Sequence, residues 1–67
     1  MTFYRWLRRQ RKRNTTVGDL ARGVCHDLAA QAVPNTYPAW KAHLMRCHAT
    51  DAALLTLALA WRRYRRG

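Results

Sequence analysis

The chain has 67 residues, of which 13 are Arg or Lys and three are acidic, giving a formal charge of +10. That length allows one domain, spanning 1–67, with a single small core, since a chain this short buries only roughly 60% of the surface its unfolded form exposes, and it leaves no room for an enzyme with a separate substrate domain. Two cysteines exclude a disulfide-rich framework, Arg5 is followed by only Trp6 and Leu7 before more arginines so that no secretory signal is expected, and the cytoplasm is the default compartment.

Four helical segments and no strand are expected, in chain order. Thr2 is an N-cap for the first, in which Phe3, Trp6, Leu7 and Gln10 fall at i, i+3, i+4 and i+7 while Arg5, Arg8, Arg9 and Lys12 occupy the opposite side. The second is predicted to start at Thr16, with Asp19 three residues on, and to carry Val17, Leu20, Ala21, Val24, Cys25 and Leu28 on one face. Gly23 is read as a point of close approach for another helix. A loop around Ala32 to Thr36 follows, because Pro34 biases Val33 away from helix. The third helix begins after Thr36 with Pro38 in its first turn and an inner stripe of Tyr37, Trp40, Leu44 and Cys47. Thr50 caps the fourth, whose main face is Leu54, Leu57, Ala58, Trp61 and Tyr64, with Leu55 and Leu59 on a second face. Its apolar stretch, Ala52 to Trp61, covers about ten residues where a membrane span needs roughly twenty.

The positive charge lies at the two ends. Arg5, Arg8, Arg9, Arg11, Lys12 and Arg13 crowd the first helix and its exit, and Arg62, Arg63, Arg65 and Arg66 fill the last turn. Such clusters attract anions and release counterions from phosphates, so nucleic acid is the leading partner; a solvated basic face that keeps a small protein soluble is the plain alternative. Tyr4, Arg8 and Arg11 share a helix side, where a tyrosine either stacks on a base or, as favoured here, is half-buried against a neighbouring helix.

Other chemistry is sparse. Cys25-His26 and His43-x3-Cys47-His48 hold zinc-type ligands, and His43 and Cys47 at i, i+4 can reach one ion, but the spacing matches no known zinc motif and both cysteines fall on apolar stripes. No metal and no cofactor is assigned. A Cys/His nucleophile would need a cleft and an oxyanion-stabilising group that 67 residues hardly accommodate, no Gly-rich phosphate loop is present, and the three aspartates are scattered. No enzymatic activity and no small-molecule substrate are expected.

Phe3-Tyr4-Arg5-Trp6-Leu7, Asp19-Leu20-Ala21, Asp27 followed by Pro34, Tyr37 with Leu44, and Ala52 through Trp61 to Tyr64 together resemble the YozE-type SAM-like (sterile alpha motif-like) domain of bacteria over nearly the whole chain. The resemblance implies an all-α fold, a small orthogonal bundle of four to five short helices, with the aromatic positions in the core. It implies no biochemical activity, and SAM-like folds serve both protein interaction and nucleic-acid binding. Members of that family tend to be acidic in the third helix and near the C-terminus, where this chain has Lys41, Arg46, Arg62 and Arg63, a departure that favours anion binding. Two readings therefore stand: sequence-nonspecific binding of nucleic acid by Arg8, Arg9, Lys12 and Arg13, extended by Arg62, Arg63 and Arg65 if the ends meet, or protein interaction or self-association through exposed Leu55, Leu59 and Met45. Attachment to anionic lipid ranks last, since no helix pairs a basic face with a broad unused apolar one.

Overall fold

Threonine side chains start each of the four helices. Thr2, Thr15, Thr36 and Thr50 accept hydrogen bonds through Oγ1 from the backbone N–H groups of Arg5, Gly18, Ala39 and Ala53, three residues on in every case. The structure, a computed structural model, describes residues 1–66; Gly67, the last residue of the expected 1–67 domain, lies outside the described residues. The elements are α1 (Phe3–Arg9), a 3₁₀ turn (Gln10–Lys12), α2 (Thr16–Cys25), a second 3₁₀ turn (Leu28–Ala32), α3 (Tyr37–Arg46) and α4 (Asp51–Arg66), with no strand among the described residues.

At 16 residues α4 is the longest of the four helices, about 24 Å, a length comparable to the 25 Å longest molecular dimension. The other three helices pack on it. The core they enclose is Phe3 and Leu7 from α1, Val17, Ala21 and Val24 from α2, Trp40 and Leu44 from α3, and Leu57 and Ala60 from α4. Phe3, fully buried, is the hub of the aromatic half of that core. Its ring lies 4.8 Å from Trp61, 5.2 Å from Trp40, 5.5 Å from Tyr64 and 5.8 Å from Trp6, and such ring pairs each add about 0.5–1.5 kcal/mol beyond area burial. The Trp40 Nε1–H is buried without a hydrogen-bond partner, and nothing in the structure explains it.

Four local expectations are corrected. Thr15, not Thr16, caps α2, which frees Asp19 from a capping role to pair with Arg22 one turn later. The helical period does not continue to Leu28: α2 stops at Cys25, Asp27 caps the second 3₁₀ turn through Oδ1 to the Ala29 N–H, and Leu28 is left 82% exposed while Ala30 is buried. In α3 it is His43 that is buried, and Cys47, just beyond the last turn, is exposed. Finally, Gly23 has nothing near it, whereas a Cβ on Gly18 would stand 2.0 Å from the Arg13 carbonyl oxygen. The close approach in α2 is therefore to its own preceding loop.

The C-terminus of α3 turns sharply. His48 takes a left-handed φ of 60°, its N–H donates to the Met45 carbonyl, and the Ala49 N–H donates to that of Leu44, the paired bonds of a Schellman close. This ties Cys47 to the end of the helix and carries the chain back toward α4.

Candidate functional site

Both basic ends of the chain are built around one hydrogen-bonded staple. Asn35, in the loop before α3, accepts from the Phe3 N–H at 2.8 Å and donates through Nδ2 to the Tyr64 hydroxyl at 3.2 Å. That hydroxyl in turn donates to the Met1 carbonyl at 2.6 Å. Tyr64 is three residues from Trp61 on α4, so the same turn that completes the aromatic core also holds the start of α1 against the end of α4.

The result is an open hollow of about 820 Å³ whose lining includes Arg9 from α1, Arg65 and Arg66 from α4, and the aromatic rings of Trp6, Trp61 and Tyr64. A second, smaller hollow of about 290 Å³ shares Arg9 and adds Arg5, Arg8 and Arg11. Arg9 thus bridges two recesses that together hold six guanidinium groups. Two of these arginines are held locally: Arg11 donates to the Arg8 carbonyl at 2.8 Å, and the Arg8 guanidinium lies 5.7 Å from the centre of the Tyr4 ring. Tyr4 itself is half-buried and stacks on Trp40 at 6.4 Å and 15°, which matches the packing role favoured from the sequence.

Of the remaining basic residues, Lys12, Arg13, Arg62 and Arg63 are exposed and line neither hollow. Of the expected principal set, Arg8 and Arg9 line these hollows and Lys12 and Arg13 do not, while Arg65 and Arg66 share a hollow with Arg9. Arg22 is occupied: it pairs with Asp19 and donates to the carbonyls of Arg11 and Arg13, clamping the basic loop onto α2. Among the described residues the ion pairs are Arg22 with Asp19 and His43 with Asp27, so none of the three aspartates pairs with an arginine at the termini.

A comparison with protein families matches the family described as "YozE SAM-like fold" over residues 2–66. The chain belongs to this YozE SAM-like family. Comparison with curated proteins gives no match, and comparison with solved structures gives none. Family membership agrees with the all-α fold seen here, and among the described residues no helix is long and apolar enough to cross a membrane.

This YozE-type chain also carries a polar cluster on another face that sequence spacing alone does not reveal. The Asp27 Oδ2 lies 2.7 Å from His43 Nε2, and the Cys47 Sγ is 3.8 Å from each of those two atoms. The hydrogen bond to His43, opposed by partial burial and helped by the Ala29 N–H, the His43 charge and the Cys47 thiol, holds the Asp27 carboxyl below its ordinary value of 3.8. His43 and Cys47 are visible as an i, i+4 pair in the sequence. Asp27, sixteen residues away from His43, joins them only because it caps the 3₁₀ turn that packs beside α3.

Proposed function

We propose that this domain is a non-enzymatic cytoplasmic module that binds nucleic acid, without strong sequence preference, through phosphate contacts from its terminal arginines. The observation that carries the reading is the gathering of Arg9, Arg65 and Arg66 around one hollow, with Arg5, Arg8 and Arg11 in the recess beside it. Guanidinium groups present planar, bidentate donors to phosphate. The faces of Trp6, Trp61 and Tyr64 on the same hollow add surfaces on which a base can stack, a sequence-tolerant interaction worth about 1–3 kcal/mol per base. Two free cysteines suit a reducing compartment.

The test is fluorescence anisotropy with a labelled duplex and a labelled single strand across a salt series, comparing the native chain with Arg9→Ala/Arg65→Ala/Arg66→Ala. Each phosphate contact contributes about 0.9 to the slope of log affinity against log salt on duplex and about 0.7 on a single strand. The triple variant is expected to lower the duplex slope by about 2.7, which makes it about 40-fold less sensitive than the native chain to a change from 50 to 200 mM salt. Equal slopes, or no binding at low salt, would refute the reading.

A second reading rests on α4, where Leu55 is 74% and Leu59 40% exposed one turn apart, a pair of apolar side chains suited to protein contact or self-association. A molecular mass that rises with concentration and reverts in Leu55→Ser/Leu59→Ser would favour it over nucleic-acid binding.

A further inference from the structure

We propose that Asp27, His43 and Cys47 form a binding site for Zn²⁺, with its fourth coordination position open. Three ligand atoms of three different types, all within 4.8 Å of one another, come from two elements: the carboxylate that caps the second 3₁₀ turn, and an imidazole and a thiol one helical turn apart at the end of α3.

The geometry separates this arrangement from a catalytic triad. In a thiol–imidazole–carboxylate relay the thiol and the carboxylate engage opposite ring nitrogens. Here both face the same atom, His43 Nε2, so no proton can pass through the ring from one to the other. Convergence on one nitrogen is instead what a shared ion requires. With Zn–S of about 2.3 Å, Zn–N of about 2.0–2.1 Å and Zn–O of about 2.0–2.2 Å, tetrahedral angles place sulfur about 3.6 Å from the nitrogen and oxygen, and those two about 3.3 Å apart. The sulfur separations of 3.8 Å are already close to this. The 2.7 Å contact between Asp27 and His43 has to open by about 0.6 Å. Asp27 has room to move outward, its side chain being 32% exposed, while His43, at 8%, is the fixed ligand.

The surroundings supply what a metal site needs. The Ala29 N–H donates to Asp27 Oδ1, orienting the carboxylate so that Oδ2 points at His43. The Schellman close after Arg46 sets Cys47 at the end of the helix, where it is exposed and open to solvent. Asp27 and Cys47 also border the cleft between α2 and α4, of about 510 Å³, which gives a ligand access to the fourth position. On binding, the thiol gives up its proton, the proton that His43 Nε2 shares with the Asp27 carboxylate leaves that nitrogen for solvent or for Nδ1, and the imidazole coordinates through the freed Nε2 with Nδ1 protonated. A carboxylate and a thiolate then balance the two charges of the ion.

The test uses the full chain, metal-free, titrated with Zn²⁺ against a chromophoric chelator, and with Co²⁺ as a spectroscopic stand-in. Native protein is expected to bind one equivalent, to melt at a higher temperature with Zn²⁺, and to show a thiolate-to-cobalt charge-transfer band. Cys47→Ser, at an exposed position that leaves the core intact, is expected to lose the band and to weaken Zn²⁺ binding by more than the roughly 10–100-fold that loss of a supporting group costs. Cys25→Ser keeps both. If Cys47→Ser binds Zn²⁺ as tightly as the native chain, if Co²⁺ binds without the band, or if the native chain binds neither ion, the three side chains serve only to tie the 3₁₀ turn to α3 and the proposal fails.

Discussion

Substituting the two glycines of α2 by alanine should have opposite effects, although the chemistry and the helix are the same. Neither glycine has a positive φ, so backbone strain does not enter and only surroundings distinguish them. At Gly23 a methyl group meets nothing within 4 Å, and Gly23→Ala should recover the helix-propensity difference, about 0.5–1 kcal/mol. At Gly18 the same gain is opposed by a Cβ placed 2.0 Å from the Arg13 carbonyl oxygen and 3.1 Å from that of Gln10. Both obstacles are backbone, and the Arg13 carbonyl is held by the Arg22 guanidinium, so the loop must move by more than 1 Å and give up that clamp. Overpacking of this kind costs typically 1–3 kcal/mol, and the lost hydrogen bond adds about 1 kcal/mol. Gly18→Ala should therefore be destabilised by about 1–3 kcal/mol net. In a domain of this size a change of 1 kcal/mol shifts Tm by about 4–8 °C, so thermal unfolding followed by circular dichroism resolves the two variants easily. A Gly18→Ala protein as stable as the native one would show that the loop does not lie against α2 as described.

Two other outcomes test the long-range contacts. Tyr64→Phe removes the donor to Met1 and the acceptor for Asn35 while keeping the ring against Phe3, and should cost about 1–2 kcal/mol in urea unfolding; no measurable loss would mean that the staple does not hold the termini together. The lowered proton affinity of Asp27 contributes stability that is fully present above its ordinary value of 3.8 and disappears as pH falls through the lower folded-state value. With a chelator present, native stability should thus fall more steeply than that of Asp27→Asn on acidification below about pH 4, and parallel curves would remove the ion pair from the account.

Local chemistry made the helices legible in the sequence. Thr2, Thr36 and Thr50 stand where an N-cap must, and the 3.6-residue period finds Phe3 and Leu7 in α1, Trp40 and Leu44 in α3 and Leu57 in α4, while missing His43 and Ala60 on the buried sides of the last two. At Thr15 and Thr16 two equivalent caps lie side by side, and Asp19 three residues after Thr16 imitates a capping box although it serves Arg22. Leu28 keeps the helical register of α2 on paper, but Asp27 ends that register by capping a turn of different pitch. The candidate sites depend on pairs far apart in the chain: Met1 with Tyr64, Asn35 with Phe3, Asp27 with His43. No periodicity encodes such pairs, so the basic residues could be named from the sequence but not sorted into those that share a hollow and those that do not.

The burial of Phe3 has a consequence for the order of events in biosynthesis. Phe3 is made before the rest of this domain's core, yet two of the four rings that enclose it, Trp61 and Tyr64, belong to α4, the domain's C-terminal helix. A nascent chain that has reached α3 can bring Trp40 to Phe3 but leaves the other side of the ring in water, along with the inner face of α1. The domain therefore cannot complete its core piecemeal as it is synthesised: it stays open until α4 is available, and an interrupted translation product would present exposed aromatic surface of the kind that chaperones and proteases recognise.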